Sequence, residues 1–129
     1  MSGYVAVPGT RRIAVVLAVA LVGLSLAGCG GGSSGTGPSN TPGPNEIWME
    51  NTVFNPTSKI ITAGTTITWT NKDAFNHTVT SGTPGQPDGK FASGNLGRND
   101  TFSHTFNDVG IFQFYCSIHT SMQGTITVQ

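Results

Sequence analysis

Beyond residue 45 this chain shows no apolar period of 3.6 residues; short runs that alternate every second residue take its place. Thr65–Thr70 sets Ile67 and Trp69 on one face and Thr66, Thr68 and Thr70 on the other. Thr101–Phe106 groups Phe102, His104 and Phe106. Ile111–Cys116 groups Phe112, Phe114 and Cys116. Glu46–Glu50 alternates Ile47 and Met49 against Trp48 and Glu50. Lys59–Thr62, His77–Thr80 and Gln123–Gln129 complete the set, the last with Ile126 and Val128 inward. β-Branched and aromatic residues dominate these runs, as a pleated, half-buried surface requires. Ser81–Lys90 crowds glycines and prolines and is predicted to be a loop. Seven to eight short strands in residues 46–129 predict an all-β sandwich of two sheets.

The preceding residues are of another kind. Arg11 and Arg12 precede an uncharged apolar run, Ile13 to Leu26, which is shorter than the roughly 20 residues of a membrane span. Residues 1–28 therefore read as an export signal. The run ends in Leu26-Ala27-Gly28-Cys29, which resembles a bacterial lipoprotein box with Cys29 as the lipidated mature N-terminus. The Arg11-Arg12 pair lacks the flanks usual in a twin-arginine signal. Gly30–Asn45 is Gly, Ser, Pro, Thr and Asn, too polar to offset the entropy of ordering it. Residues 29–45 thus read as a lipidated cysteine and a tether, spanning about 20–24 Å as a flexible coil. The expected location is the extracytoplasmic, periplasmic face of the cell envelope. Once the signal is removed, four cationic side chains face six carboxylates, with no basic stripe for nucleic acid.

With Cys29 lipidated, Cys116 is the one thiol left, and it has no cysteine in its own chain to pair with. It is an inert core residue, an intermolecular link, a reactive thiol or a metal ligand. Its neighbours narrow the choice. Cys116-Ser-Ile-His119-Thr-Ser-Met122 places a thiol, an imidazole and a thioether three residues apart, and His77 adds a second imidazole from across the fold. Each alone has an ordinary reading: a surface histidine at a strand start, a solvated loop histidine, a methionine filling the core. Together they form the soft donor set of an electron-transfer copper. His104 shares a face with Phe102 and Phe106, away from this cluster, and reads as structural.

Three motifs carry a resemblance. They are Phe54-x-Pro56 followed by Ile60, Gly64 and Ile67-x-Trp69-x-Asn71; Asn76-His77-Thr78-Val79-Thr80; and Gly110-x-Phe112-x-x-Tyr115-Cys116-x-x-His119-x-x-Met122-x-Gly124. Residues 46–129 resemble the small blue-copper proteins, the plastocyanin/amicyanin branch of the cupredoxins, with the short amicyanin-like interval from Cys116 to Met122. The resemblance implies a Greek-key sandwich and one type 1 copper ion, with His77, Cys116 and His119 as trigonal ligands and Met122 as the long axial one. It also implies that His119 lies near the surface as the electron port. Ile118 and Thr120 stand where many relatives have proline. Thr78 stands where plastocyanin and amicyanin have an asparagine, and its hydroxyl can reach Ser117 instead.

These readings point to a monomeric, membrane-tethered electron carrier between a redox-protein donor and acceptor, not an enzyme. The expected docking rim around His119 comprises Ile118, Phe75 and Pro84. Three other readings compete. The same ligands suit an extracytoplasmic copper carrier or store. Cys116 with either histidine suits a nucleophilic enzyme, which needs a reachable thiol and leaves Met122 idle. A metal-free β-sandwich suits an adhesion or interaction module.

Overall fold

The computed structural model describes residues 39–129; the export signal, Cys29 and the first part of the tether lie outside the described residues. Nine strands form, one more than the upper expectation. They are β1 (Glu46–Glu50), β2 (Val53–Asn55), β3 (Ser58–Ile61), β4 (Thr65–Asn71), β5 (Thr80–Thr83), β6 (Gln86–Ala92), β7 (Thr101–Phe106), β8 (Gly110–Tyr115) and β9 (Gln123–Val128). One sheet has the order β2-β1-β4-β7 and the other β3-β9-β8-β5-β6. The β1–β4 and β3–β9 pairs are parallel and the rest antiparallel.

The inward faces are largely those the alternation selects. Ile67 and Trp69 of β4, Phe106 of β7, Phe114 of β8, and Ile126 and Val128 of β9 are buried in one core. Burying each such side chain stabilises by about 1.5–3 kcal/mol. Trp69 is the hub: its ring lies 5.4–6.3 Å from Phe91, Phe102, Phe106 and Phe114. Its buried Nε1–H has no hydrogen-bond acceptor, a cost accepted for packing the ring. Gly124 pairs with Phe114, and a Cβ there would fall 2.3 Å from that ring. The absent side chain lets Phe114 lie flat on β9, two residues before Cys116.

Four local expectations change. Ser81–Lys90 is not a loop but mostly the β5–β6 hairpin. Gly85 turns it at φ 78°, and Gly82 (φ 108°) lies where the register shifts. Pro87 is tolerated because β6 is an edge strand with no neighbour on its far side. His77 precedes β5 rather than opening a strand, and pairs only through an isolated bridge to Leu96. Trp48, expected on the outer face, is 8 % exposed because the Lys72 ammonium lies 4.5 Å over its ring. Val53–Asn55 forms an unanticipated strand, folded back on β1 through the two-residue turn Asn51-Thr52.

Register also orders the two ends of the sandwich. β4 runs toward Asn71, whose amide bonds the backbone on either side of His77. β1 lies parallel to it, from Glu46 beside Thr68 to Met49 beside Asn71. The chain therefore enters β1 at the end away from His77. Just before that point, the Asn45 carbonyl accepts from the Thr68 N–H at 3.0 Å and Lys59 Nζ reaches the Pro44 carbonyl.

Candidate metal centre

The Cys116–Met122 segment closes on itself. The Cys116 N–H donates to the Met122 carbonyl at 3.0 Å, and the Met122 N–H donates to the His119 carbonyl at 2.8 Å. Residues three apart are thus folded into one clip at the end of β8. Cys116 and Met122 are buried, while His119 is half-exposed.

His77 arrives from the other side. Its N–H donates to the Leu96 carbonyl at 3.1 Å, and the Leu96 N–H returns a bond at 2.8 Å. Buried Asn71 braces both flanks: its amide donates to the Phe75 carbonyl at 2.8 Å and the Leu96 carbonyl at 2.9 Å. Thr78 ties this segment to the clip. Its hydroxyl accepts from the Ser117 N–H at 2.7 Å and lies 2.9 Å from the Ser117 hydroxyl, as the sequence suggested.

Three potential donor atoms converge. His77 Nδ1 and His119 Nδ1 each lie 3.8 Å from Cys116 Sγ and 3.1 Å from one another. In the plane of that triangle, the point equidistant from all three atoms lies about 2.1 Å from each, close to ordinary metal–nitrogen and metal–sulfur bond lengths. Two N–H groups point at the sulfur, from Thr78 at 3.3 Å and His119 at 3.4 Å. Met122 sits at the core's end in the same loop, 2 % exposed. Two imidazole nitrogens and a cysteine sulfur in one tight triangle, with Met122 closing the same loop, match the donor types of a trigonal copper site. The residues present fit that ion.

Sequence reasoning missed Asp73. Its Oδ2 lies 2.8 Å from His77 Nε2, a contact in which an acceptor-only carboxylate calls for an Nε2–H donor and Nδ1 is the ring nitrogen that faces Cys116. The carboxylate also accepts from the Asn51 N–H at 2.8 Å and the Thr52 N–H at 3.0 Å. Burial alone would push the Asp73 carboxyl up, but the bonds from Thr52, His77 and Asn51 together hold it below its ordinary value. The available signal was an acid four residues before a candidate ligand.

The surroundings separate His119 from everything else in the site. Phe75 and Ile118, both 47 % exposed, are the large apolar side chains at this surface, and the Phe75 ring stands 5.1 Å from His77 and 5.6 Å from His119. Pro84 does not belong to that rim. β5 pairs Thr80 with Tyr115 and then runs away from Cys116, which carries the Pro84 turn toward the other end. His104 is also elsewhere, packed between Phe91 at 4.6 Å and Phe106 at 4.8 Å, and burial pushes its imidazole below the ordinary value.

Comparison with known proteins agrees with this geometry. The sequence profile of the copper-binding proteins of the plastocyanin/azurin family matches residues 45–129. A plastocyanin from Scenedesmus fuscus is 35 % identical over 86 residues, covering 60 % of this chain and 87 % of that protein. Amicyanin-alpha from Methylorubrum extorquens is 34 % identical over 90 residues, covering 67 % of this chain and 73 % of that protein. Among solved structures, a purple cupredoxin from Nitrosopumilus maritimus superposes with a TM-score of 0.61 at 31 % identity, over 65 % of this chain and 98 % of that one. A copper-containing nitrite reductase from Thermus scotoductus gives 0.60 at 29 % identity, over 68 % of this chain but only 23 % of the reductase.

Proposed function

We propose that this chain, which belongs to the plastocyanin/azurin family of copper-binding proteins, is a one-electron shuttle held on the extracytoplasmic face of the cell envelope by lipid at Cys29. In this reading His77, Cys116 and His119 would hold a copper ion strongly, and Met122 would add a weaker sulfur donor. The observation that carries it is the convergence of three donor atoms within 3.8 Å of one another, of which only the His119 ring reaches toward solvent.

Bound there, copper supplies a one-electron couple between Cu(I) and Cu(II). The chain supplies rigidity and exclusion. Buried Cys116, His77 and Met122 keep water from the ion, and no side chain offers an open position for substrate. The family relatives by sequence are a plastocyanin and an amicyanin, so the chain belongs with the carriers, not the enzymes. The nitrite reductase resemblance covers under a quarter of that enzyme. Asn71, Thr78 and the two N–H bonds to sulfur fix the ligands, so little needs to move when an electron passes. The half-exposed His119 edge, rimmed by Phe75 and Ile118, suits brief contact with a redox donor and acceptor.

The lipid tether is supported by the motif at Cys29 and by the chain's path. The chain enters β1 at the end of the sandwich away from His77. The test is copper loading with an absorption spectrum and a redox titration. Intense visible absorption and reversible one-electron exchange are expected. A colourless protein overturns the reading, and ready copper loss to an acceptor with slow electron exchange favours a copper carrier. Cys29→Ser should move the protein from the membrane to the soluble fraction.

A further inference from the structure

The β1–β2 turn adopts a conformation that its own residues disfavour. Asn51 (φ 54°) and Thr52 (φ 61°) are both left-handed. A two-residue hairpin connection calls for that geometry, but its second position normally takes glycine, and a β-branched residue there is strained. Thr52 carries the strain while its N–H, with that of Asn51, points at one carboxylate: Asn51 to Asp73 Oδ1 at 2.8 Å, Thr52 to Oδ2 at 3.0 Å. The same Oδ2 meets His77 Nε2 at 2.8 Å. The Asp73 backbone is pinned as well, its N–H donating to Asn71 Oδ1 at 2.9 Å.

We propose that the Asn51-Thr52 turn and Asp73 form a positioning device for His77 that sets the reduction potential of the bound copper from outside the ligand set. The part concerning potential deepens the function proposed above and rests on it. Two N–H donors leave the carboxylate no rotational freedom, so its bond to Nε2–H fixes both the tautomer and the plane of the His77 ring. Nδ1, 3.8 Å from Cys116 Sγ, is then the ring nitrogen left to bind a metal. A negative charge behind the ring strengthens it as a donor and favours Cu(II) over Cu(I), which lowers the potential. His119 has no such support; its ring neighbours are Phe75 and His77. The device therefore acts on one histidine of the pair.

The test compares Asp73→Asn and Glu50→Gln. Asp73→Asn keeps the shape and removes the charge; the Cu(II) dissociation constant should rise about ten- to hundredfold, with a smaller loss for Cu(I). Each tenfold difference between the two losses raises the potential by about 59 mV. Glu50→Gln removes a carboxylate from the same hairpin, one bonded to Asn55, and should leave the potential unchanged. Nitrogen NMR of the metal-free protein reads the His77 tautomer directly: Nε2–H in the parent, mixed in Asp73→Asn. That readout decides the positioning claim even if the parent binds no copper, a result that would sink the functional reading alone. An unaltered tautomer in Asp73→Asn, or equal potential shifts in Asp73→Asn and Glu50→Gln, overturns the device.

Discussion

The two histidines of the site are chemically identical and held in opposite ways. His77 is fully buried, bonded through its backbone to Leu96, backed by Asp73 and flanked by segments that Asn71 ties down. His119 sits half-exposed on a seven-residue clip, held mainly by the bonds that close that clip. In the proposed reading the contrast divides the labour of a redox centre. The buried histidine would fix where the ion sits, and the half-exposed one would let an electron enter and leave.

The difference can be broken most severely at the atom both histidines share. Cys116→Ser should abolish the visible absorption and weaken copper binding more than any other single change, since it removes the only cysteine sulfur among the described residues. An absorption titration checks this. The histidines themselves should then part company. His77→Gly and His119→Gly each open a coordination position, but added imidazole should restore colour only in His119→Gly, because position 77 has no solvent path. Equal rescue of both would erase the distinction drawn between them.

Smaller changes test the supports. Gly124→Ala forces a methyl against the Phe114 ring and should cost about 1–3 kcal/mol of stability, read by denaturant unfolding. Because Phe114 leads into Cys116, the clip should loosen and copper should leave faster. Thr78→Val deprives the Ser117 N–H of its acceptor at the seam between the His77 segment and the clip, and should cost about 1 kcal/mol. It should also shift the potential measurably. Unchanged copper retention and potential would show that the seam does not need this bond.

The smallest effect lies away from the metal. Burial holds His104 below its ordinary value of 6.5, so the unfolded chain takes up that proton first as pH falls. Stability should therefore decline as pH drops below 6.5 and level off once the folded form is protonated too. His104→Gln should flatten that slope without altering the copper spectrum. A spectrum that changes would bring His104 back into the site.

Whatever rests on near neighbours in the chain is legible from residue order. Strand periodicity is a local property of the pleat, so β4, β7, β8 and β9 were legible with their inward faces. Cys116, His119 and Met122 were legible as a unit because three-residue spacings allow a single loop to gather them. His77 could be nominated by chemistry, but its place beside Cys116, 39 residues away, was decided by the packing of two sheets. Tertiary structure alone decided the rest. Glycine and proline mark a turn whether or not paired strands flank it, so the β5–β6 hairpin reads as a loop. Trp48 is buried by a lysine from beyond β4, which no alternation within β1 encodes. Asp73 reads as one polar loop residue until the β1–β2 turn brings two N–H groups to its carboxylate. Such contacts join residues far apart in the chain, and no local period records them.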